Sequence, residues 1–452
     1  MRPPHARPDT DDDTDADVDL GPDAGPDPDR DTRPGSPYPA VLSVVDLDLG
    51  SPDGPVLSLR PAPGGPPPGP GGVYALVRLR GRPAATVLGH VREGDDPAEV
   101  LARLARGRLA ETEPEPEPRL VPPRACVVVA SRERADQLAR ALDSLLDQDH
   151  PDYEILVVDN APLTRATEEL VTGKYGDRVR YVREDTPGLA VAHNTGLAHA
   201  RAEVVAFTDD DVVTDPHWLT ALTTPFAADP RLGCVTGLIL PARLRTPAQI
   251  LLESHGGFAK GFAPRLYDPV RPPADEPLFP FTAGSFGSGA NMAFRTRALK
   301  AAGGFDPATG TGTAARGGDD LYAFVAVLSA GFRLRYTADA LVWHHHRERW
   351  QDLRNQAFGY GAGLTAYLTA TLVRRPALLP ALLARLPRGL AHARIMTAHR
   401  GPEQHGVPGA HGAHTHPWPR SLSRLERRGM LYGPIGYAKA RANARRRMRG
   451  SR

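Results

Sequence analysis

Cysteine is almost missing from this chain, with only Cys126 and Cys234 among 452 residues. Both stand inside apolar runs, which argues against a disulfide framework or a cysteine-held metal and suits a reducing compartment. Long apolar runs are missing too. No stretch approaches the roughly 18 apolar residues of a membrane span, and the longest candidate, GLTAYLTATLV at 363–373, is broken by threonines and followed by Arg374 and Arg375. The N-terminus, MRPPHARPDT, carries no apolar core of a secretory signal, so a cytoplasmic protein is expected. Net charge is scarce, formally +2, yet residues 9–31 hold eleven Asp while residues 420–452 hold eleven Lys or Arg and one Glu. That asymmetry between the ends matters more than the total.

What is present falls into segments. Residues 1–36, rich in Asp, Pro and Gly, have too little apolar surface to order themselves and are expected to be a disordered acidic tail. Short β-like runs and a helix-like DPAEVLARLARGRLA suggest a small α/β module over 37–110, followed by a stiff Pro/Glu linker at 111–123. Across 124–350, strand-like runs alternate with amphipathic helices, the pattern of an α/β domain built on a mostly parallel sheet. A helical, basic extension is expected over 351–398, then a His/Gly/Pro linker and basic tail over 399–452.

In open α/β sheets ligands lie beyond the carboxyl ends of the strands. There the chain places Ser131, Arg132 and Glu133 after ACVVVA, Asp159 and Asn160 at the end of EILVVDN, and Asp209, Asp210 and Asp211 after EVVAFT. Three adjacent carboxylates repel one another. An acidic turn or helix cap accounts for many such runs, but two carboxylates spaced i, i+2 after a strand can both face a hard cation such as Mg²⁺ or Mn²⁺. Asp319 and Asp320 follow a glycine pair and open a helix, where Asp suits the N-terminus; a general base carried on a flexible glycine approach is the functional reading. His344, the first polar residue after the run in DALVWHHHRERW, is a candidate metal ligand ahead of His345 and His346. The loop GSFGSGANMAFR at 284–295 suits either a phosphate cradle or a plain turn-rich connection.

Taken together these stretches resemble the inverting glycosyltransferases of family 2, with their GT-A fold, over roughly 124–350. The resemblance rests on CVVVASRERADQLARALDSLLDQ, EILVVDNAPLT, PGLAVAHNTGLAHARAEVVAFTDDD, SGANMAFR and GGDDLYAFVAVLSAGFRL, in that order. It implies that Ala130, Arg132, Asp159, Asn160, His193, Asn194, Asp209 and Asp210 line the nucleotide-sugar pocket. It further implies Asp211, Asp209 and His344 as the metal site, a DxD motif with a helper, and Asp320 as the base with Asp319 in place of the usual Glu. Gly289, Asn291 and Trp343 fall on the acceptor side. Two positions depart from the family pattern, Ala130 where Thr or Ser is common and His193 where Arg is common. The implied reaction moves a sugar from a nucleoside-diphosphate sugar to a hydroxyl acceptor, with Mn²⁺ or Mg²⁺ as cofactor. The basic C-terminal third adds an anionic membrane surface as a partner, on the inner face of the cell membrane. No nucleic acid is expected, since no aromatic-rich reader accompanies the charge. A sugar-nucleotide-binding scaffold without activity and a sugar nucleotidyltransferase stand as alternatives.

Overall fold

Alternating burial along the first strands explains how the N-terminal module is built. The computed structural model describes residues 41–109, 120–255, 257–385, 387 and 418–450. The acidic tail 1–36, most of the Pro/Glu linker and the His/Gly/Pro linker lie outside those residues. Strands β1 (Leu42–Leu49), β2 (Val56–Pro61), β3 (Gly71–Leu79) and β4 (Arg82–Val91) form a sheet in the order β2-β1-β3-β4. On one face Val45, Leu47, Val73, Ala75 and Val77 meet Leu101, Ala102 and Ala105 of α1 (Pro97–Arg106). The other face carries Val44, Tyr74 and Leu76, which pack on Leu238, Leu240, Leu341 and Trp343 of the larger domain. Strand β3 is thus buried on both sides, which suits its nearly unbroken apolar run. Arg78, bonded to Asp46 and Asp215, and Arg82, bonded to Asp339, tie the module down at its rim.

The larger domain follows the strand and helix alternation expected from its sequence. Its parallel half comprises β5 (Ala125–Ser131), β6 (Tyr153–Asn160), β7 (Val179–Glu184) and β8 (Val204–Asp209), with α2 (Ala135–Leu145), α3 (Ala166–Leu170) and α4 (Leu189–His199) in the connections. After β8 the chain turns into the short β9 (Val212–Thr214), α5 (Trp218–Ala228), β10 (Leu232–Pro241), α6 (Pro247–Ser254) and β11 (Arg265–Tyr267). Then come β12 (Met292–Arg295), α7 (Thr296–Ala302), α8 (Asp319–Ser329) and β13 (Arg333–His344). The sheet order is β11-β13-β10-β12-β8-β5-β6-β7, with β9 paired to β13. Six strands run one way, while β9, β11 and β12 run against them. This is the mixed α/β fold with a large, mostly parallel sheet that the resemblance implied.

Two helices close the structure. α9 (Trp350–Arg374) lies along α10 (Arg420–Gly450). The helical, basic C-terminal region expected from the sequence is present, and its last stretch, expected as a linker and basic tail, includes a helix of 31 residues. The reason is an apolar stripe, Leu422, Leu425, Tyr437 and Ala440, all buried, that the run of arginines masks in the sequence. Among the described residues no helix is long and apolar enough to cross a membrane.

Candidate functional site

Parallel register sets the floor of the site. Ser131 stands opposite Asp159 and Ala130 opposite Asp209, so the ends of β6, β5 and β8 bring these residues to one edge of the sheet. The chain then turns at Asp210 and Asp211 into β9, whose pairing with β13 sets Val212 opposite His344. His345 N–H donates to the Asp211 carbonyl at 2.9 Å, which fastens the turn to the end of β13. One ligand atom from each of Asp209, Asp211 and His344 consequently lies within 4.8 Å of the others.

The three aspartates have different surroundings. Asp210 is buried, its carboxylate accepting from Ser131 Oγ at 2.7 Å and from Arg134 Nη1 at 3.1 Å. The same guanidinium lies 3.5 Å from Asp211 Oδ2. Arg134 therefore offsets much of the repulsion in the triplet. Even so, burial raises the Asp209 carboxyl well above its ordinary range, and the charges of Asp211 and Asp210 raise it further. Asp211 Oδ1 is buried without a hydrogen bond, 3.4 Å from His344 Nε2. Burial drives His344 down to about 4, so it is a neutral imidazole at ordinary pH. Two carboxylates, a neutral imidazole and an orphaned oxygen suit a divalent cation with mixed O/N ligands.

The second acidic pair sits at the start of α8. Asp320 accepts from Gly289 N–H through Oδ2 and from Leu321 N–H through Oδ1, both at 2.8 Å. Burial, followed by the charge of Asp319, still pushes its carboxyl up to about 6. Asp319 is itself buried, with Oδ2 3.2 Å from His193 Nδ1, although the angle makes no hydrogen bond. The His193 ring packs on Phe207 and Phe305, which places a core histidine beside the acids where the family pattern has Arg. The preceding glycines are not a flexible approach. Gly318 has φ of 85°, and a Cβ there would strike the Gly363 carbonyl, so close packing of α8 on α9 demands glycine.

Several expected site residues are spent inside the fold. Asn160 donates to Thr186 O and accepts from Gly188 N–H, which holds the loop before α4. Asn194 brackets the Phe305 backbone through both its amide groups. Asn291 is fully buried, accepting from Trp218 Nε1 and donating to Leu238 O and Ala340 O, so it locks β10 to β13 and is unavailable to an acceptor. Trp343 turns to the N-terminal module and packs with Tyr74 and Leu76. Gly289 belongs to the site, but through its N–H on Asp320. The loop around it therefore serves the acid pair. Asp159 accepts from Tyr181 at 2.9 Å and keeps Oδ1 unbonded and buried, with its carboxyl raised by burial. Ala130 and Arg132 are half-buried at the same edge.

Arg134 was not anticipated. A cation at the N-terminus of α2 opposes the helix dipole, and that mismatch in RERADQ was the available signal.

Comparison with known proteins now bears on these residues. Residues 126–301 match the sequence model of the family described as Glycosyl transferase family 2. That stretch of the chain is similar to the family. The match includes β5 to β12 and hence the Asp triplet. A pre-mycofactocin glycosyltransferase of Mycobacterium tuberculosis is 30% identical over 271 residues, which cover 58% of this chain and 52% of that protein. The chain thus spans about half the length of this relative. A glucosyl-dolichyl phosphate glucuronosyltransferase of Haloferax volcanii is 24% identical over 118 residues, 25% of this chain and 37% of that one. Among solved structures, the mannosyltransferase PcManGT of Pyrobaculum calidifontis, in complex with GDP-Man and Mn2+, shows a loose likeness. Its TM-score is 0.41 at 21% identity, covering 73% of this chain and 90% of that one.

Proposed function

We propose that this chain is a family 2 glycosyltransferase that transfers a sugar, with inversion at the anomeric carbon, from a nucleoside-diphosphate sugar to a hydroxyl of a glycan, lipid-linked or secondary-metabolite acceptor. The convergence of Asp209, Asp211 and His344 within 4.8 Å carries this reading. These three would hold Mn²⁺ or Mg²⁺, and what a bound divalent ion supplies there is neutralisation of charge on a departing diphosphate. Arg134 keeps Asp210 out of the ligand set and holds Asp211 in place.

The acceptor side needs one base. Asp320 suits the role because its carboxyl, raised to about 6, is ionised at neutral pH yet basic enough to take a proton from an attacking hydroxyl. Gly289 N–H aims the carboxylate, and Asp319 raises its basicity. An inverting displacement forms no covalent intermediate, so a second carboxylate nucleophile has no task. Ala130, Arg132 and Asp159 stand at the sheet edge as the nucleoside-side residues of this reading.

A panel of nucleotide sugars assayed with Mn²⁺ tests the proposal. Asp320→Asn is expected to lose transfer by ~10²- to 10⁴-fold while keeping donor binding. Asp211→Ala is expected to weaken metal-dependent donor binding. Full turnover by Asp320→Asn would remove the base assignment, and donor hydrolysis without metal would remove the cation. Attachment to an anionic membrane surface is part of the same proposal, supported by exposed Leu379, Leu383, Leu431 and Ile435 near basic residues of the C-terminal helices.

A further inference from the structure

Behind His344 runs a buried polar chain that leaves the site and enters the N-terminal module. His344 Nδ1 lies 2.9 Å from His346 Nδ1. His346 Nε2 lies 3.3 Å from Glu253 Oε2, and Tyr74 donates to Glu253 Oε1 at 3.2 Å. Glu253 belongs to α6, Tyr74 to β3. His346, Glu253 and Tyr74 are all under 9% exposed. Phe258 packs on both imidazoles, at 5.3 and 5.6 Å between ring centres. Gln249 donates to His346 O at 3.0 Å and so fixes its backbone.

The direction of each bond in this chain can be derived. Two facing Nδ1 atoms at 2.9 Å require that one carries a proton and the other a lone pair. A carboxylate only accepts, so His346 must present Nε2–H to Glu253. In the single-proton form of the ring the lone pair is then on Nδ1. His344 must in turn donate through Nδ1–H, which leaves the lone pair on Nε2. That nitrogen is the one directed at Asp211. The opposite assignment would set the His346 lone pair against Glu253, where the contact has hydrogen-bond geometry; the His344 contact with Asp211 has none, which leaves that lone pair and the unbonded Asp211 Oδ1 for a shared cation.

We propose that Glu253 is a positioning residue for the cation site, fixing through His346 the tautomer in which His344 offers Nε2 to the metal. Tyr74 anchors that carboxylate from the N-terminal module, so the module helps to complete the site. The idea rests on the metal-site reading above. Partners behind a ligating histidine commonly contribute ~10- to 100-fold in metal affinity.

The test is Mn²⁺ binding to the full chain, followed by electron paramagnetic resonance, with ¹⁵N-histidine NMR on the metal-free protein. Glu253→Ala is expected to weaken Mn²⁺ by ~10- to 100-fold with folding checked by thermal melt, and Glu253→Asp to recover much of that loss. In the wild type, His344 is expected as the Nδ1–H form and His346 as the Nε2–H form, assigned through His344→Ala and His346→Ala. The NMR arm needs no foldable Glu253 variant. Undiminished Mn²⁺ affinity in a folded Glu253→Ala, or His344 found as the Nε2–H form, overturns the proposal while the metal site stands. If wild type binds no Mn²⁺, or His344→Ala binds it as well as wild type, the metal assignment of His344 falls and the proposal falls with it.

Discussion

Asp320 and Arg134 show how much single side chains decide here. The carboxyl of Asp320 is held near 6 by burial and by Asp319. A base must be ionised to act, so kcat/KM is expected to be flat above that value and to fall about tenfold per pH unit below it. A pH–rate profile checks this, and the lower limb should vanish in Asp320→Asn. Arg134 carries a different burden. With it removed, Asp210 remains buried on Ser131 alone beside two more carboxylates. Arg134→Ala is expected to cost about 1–3 kcal/mol of stability, partly recovered by adding Asp210→Asn. Urea unfolding of the single and double variants measures the coupling. The aspartates themselves were legible as residues after a strand. The i, i+2 spacing also set Asp209 and Asp211 apart as the metal pair; what holds Asp210 away from them was not legible, because Arg134 and Ser131 lie some 75 positions or more away in the chain.

At the scale of elements, the α9 and α10 pair is built on glycine. A Cβ at Gly361 would run into the Glu426 carbonyl, and one at Gly429 into the Phe358 carbonyl. Gly433 meets Thr365 and the Ala362 carbonyl in the same way. The helices can approach this closely only because those side chains are missing. Gly429→Val is expected to lower stability by ~1–3 kcal/mol through overpacking and to loosen α10, read as a lower melting temperature and faster proteolysis after residue 418. The effect should reach the acid pair, since α9 also carries Gly363, against which Gly318 of the Asp319 turn is packed. Sequence periodicity showed the strands and helices of the α/β domain well, because each buries a regular face. It gave a helical, basic C-terminal region but not the packed stripe of α10, whose arginines swamp it.

The whole molecule joins three parts around one sheet edge. The N-terminal module covers β10 and β13 through Tyr74, Leu76 and Trp343, while α9 and α10 cover α8. Exposed on the far side are Leu431 at 80% and Ile435 at 54%, with Arg427, Arg428 and Lys439 nearby. If that face meets lipid, the protein is expected to co-sediment with anionic vesicles and to release in high salt. Leu431→Asp with Ile435→Asp should abolish the association without lowering Mn²⁺ affinity. Binding unchanged in that variant would remove the membrane from the account.

Local chemistry determined a great deal by itself. Strand order in the chain, the two acidic clusters of the site and the family resemblance could be read from the sequence, because hydrophobic period and short motifs are properties of neighbouring residues. Long-range pairing decided the rest. Asn291 and Trp343 look available in the sequence and are consumed by β10 and the N-terminal module. Arg134, Glu253 and Tyr74 look ordinary there, and register and packing bring them to the acids and histidines. Whether a polar side chain faces a ligand or another part of the chain depends on which buried groups still need a partner. Only the folded arrangement answers that.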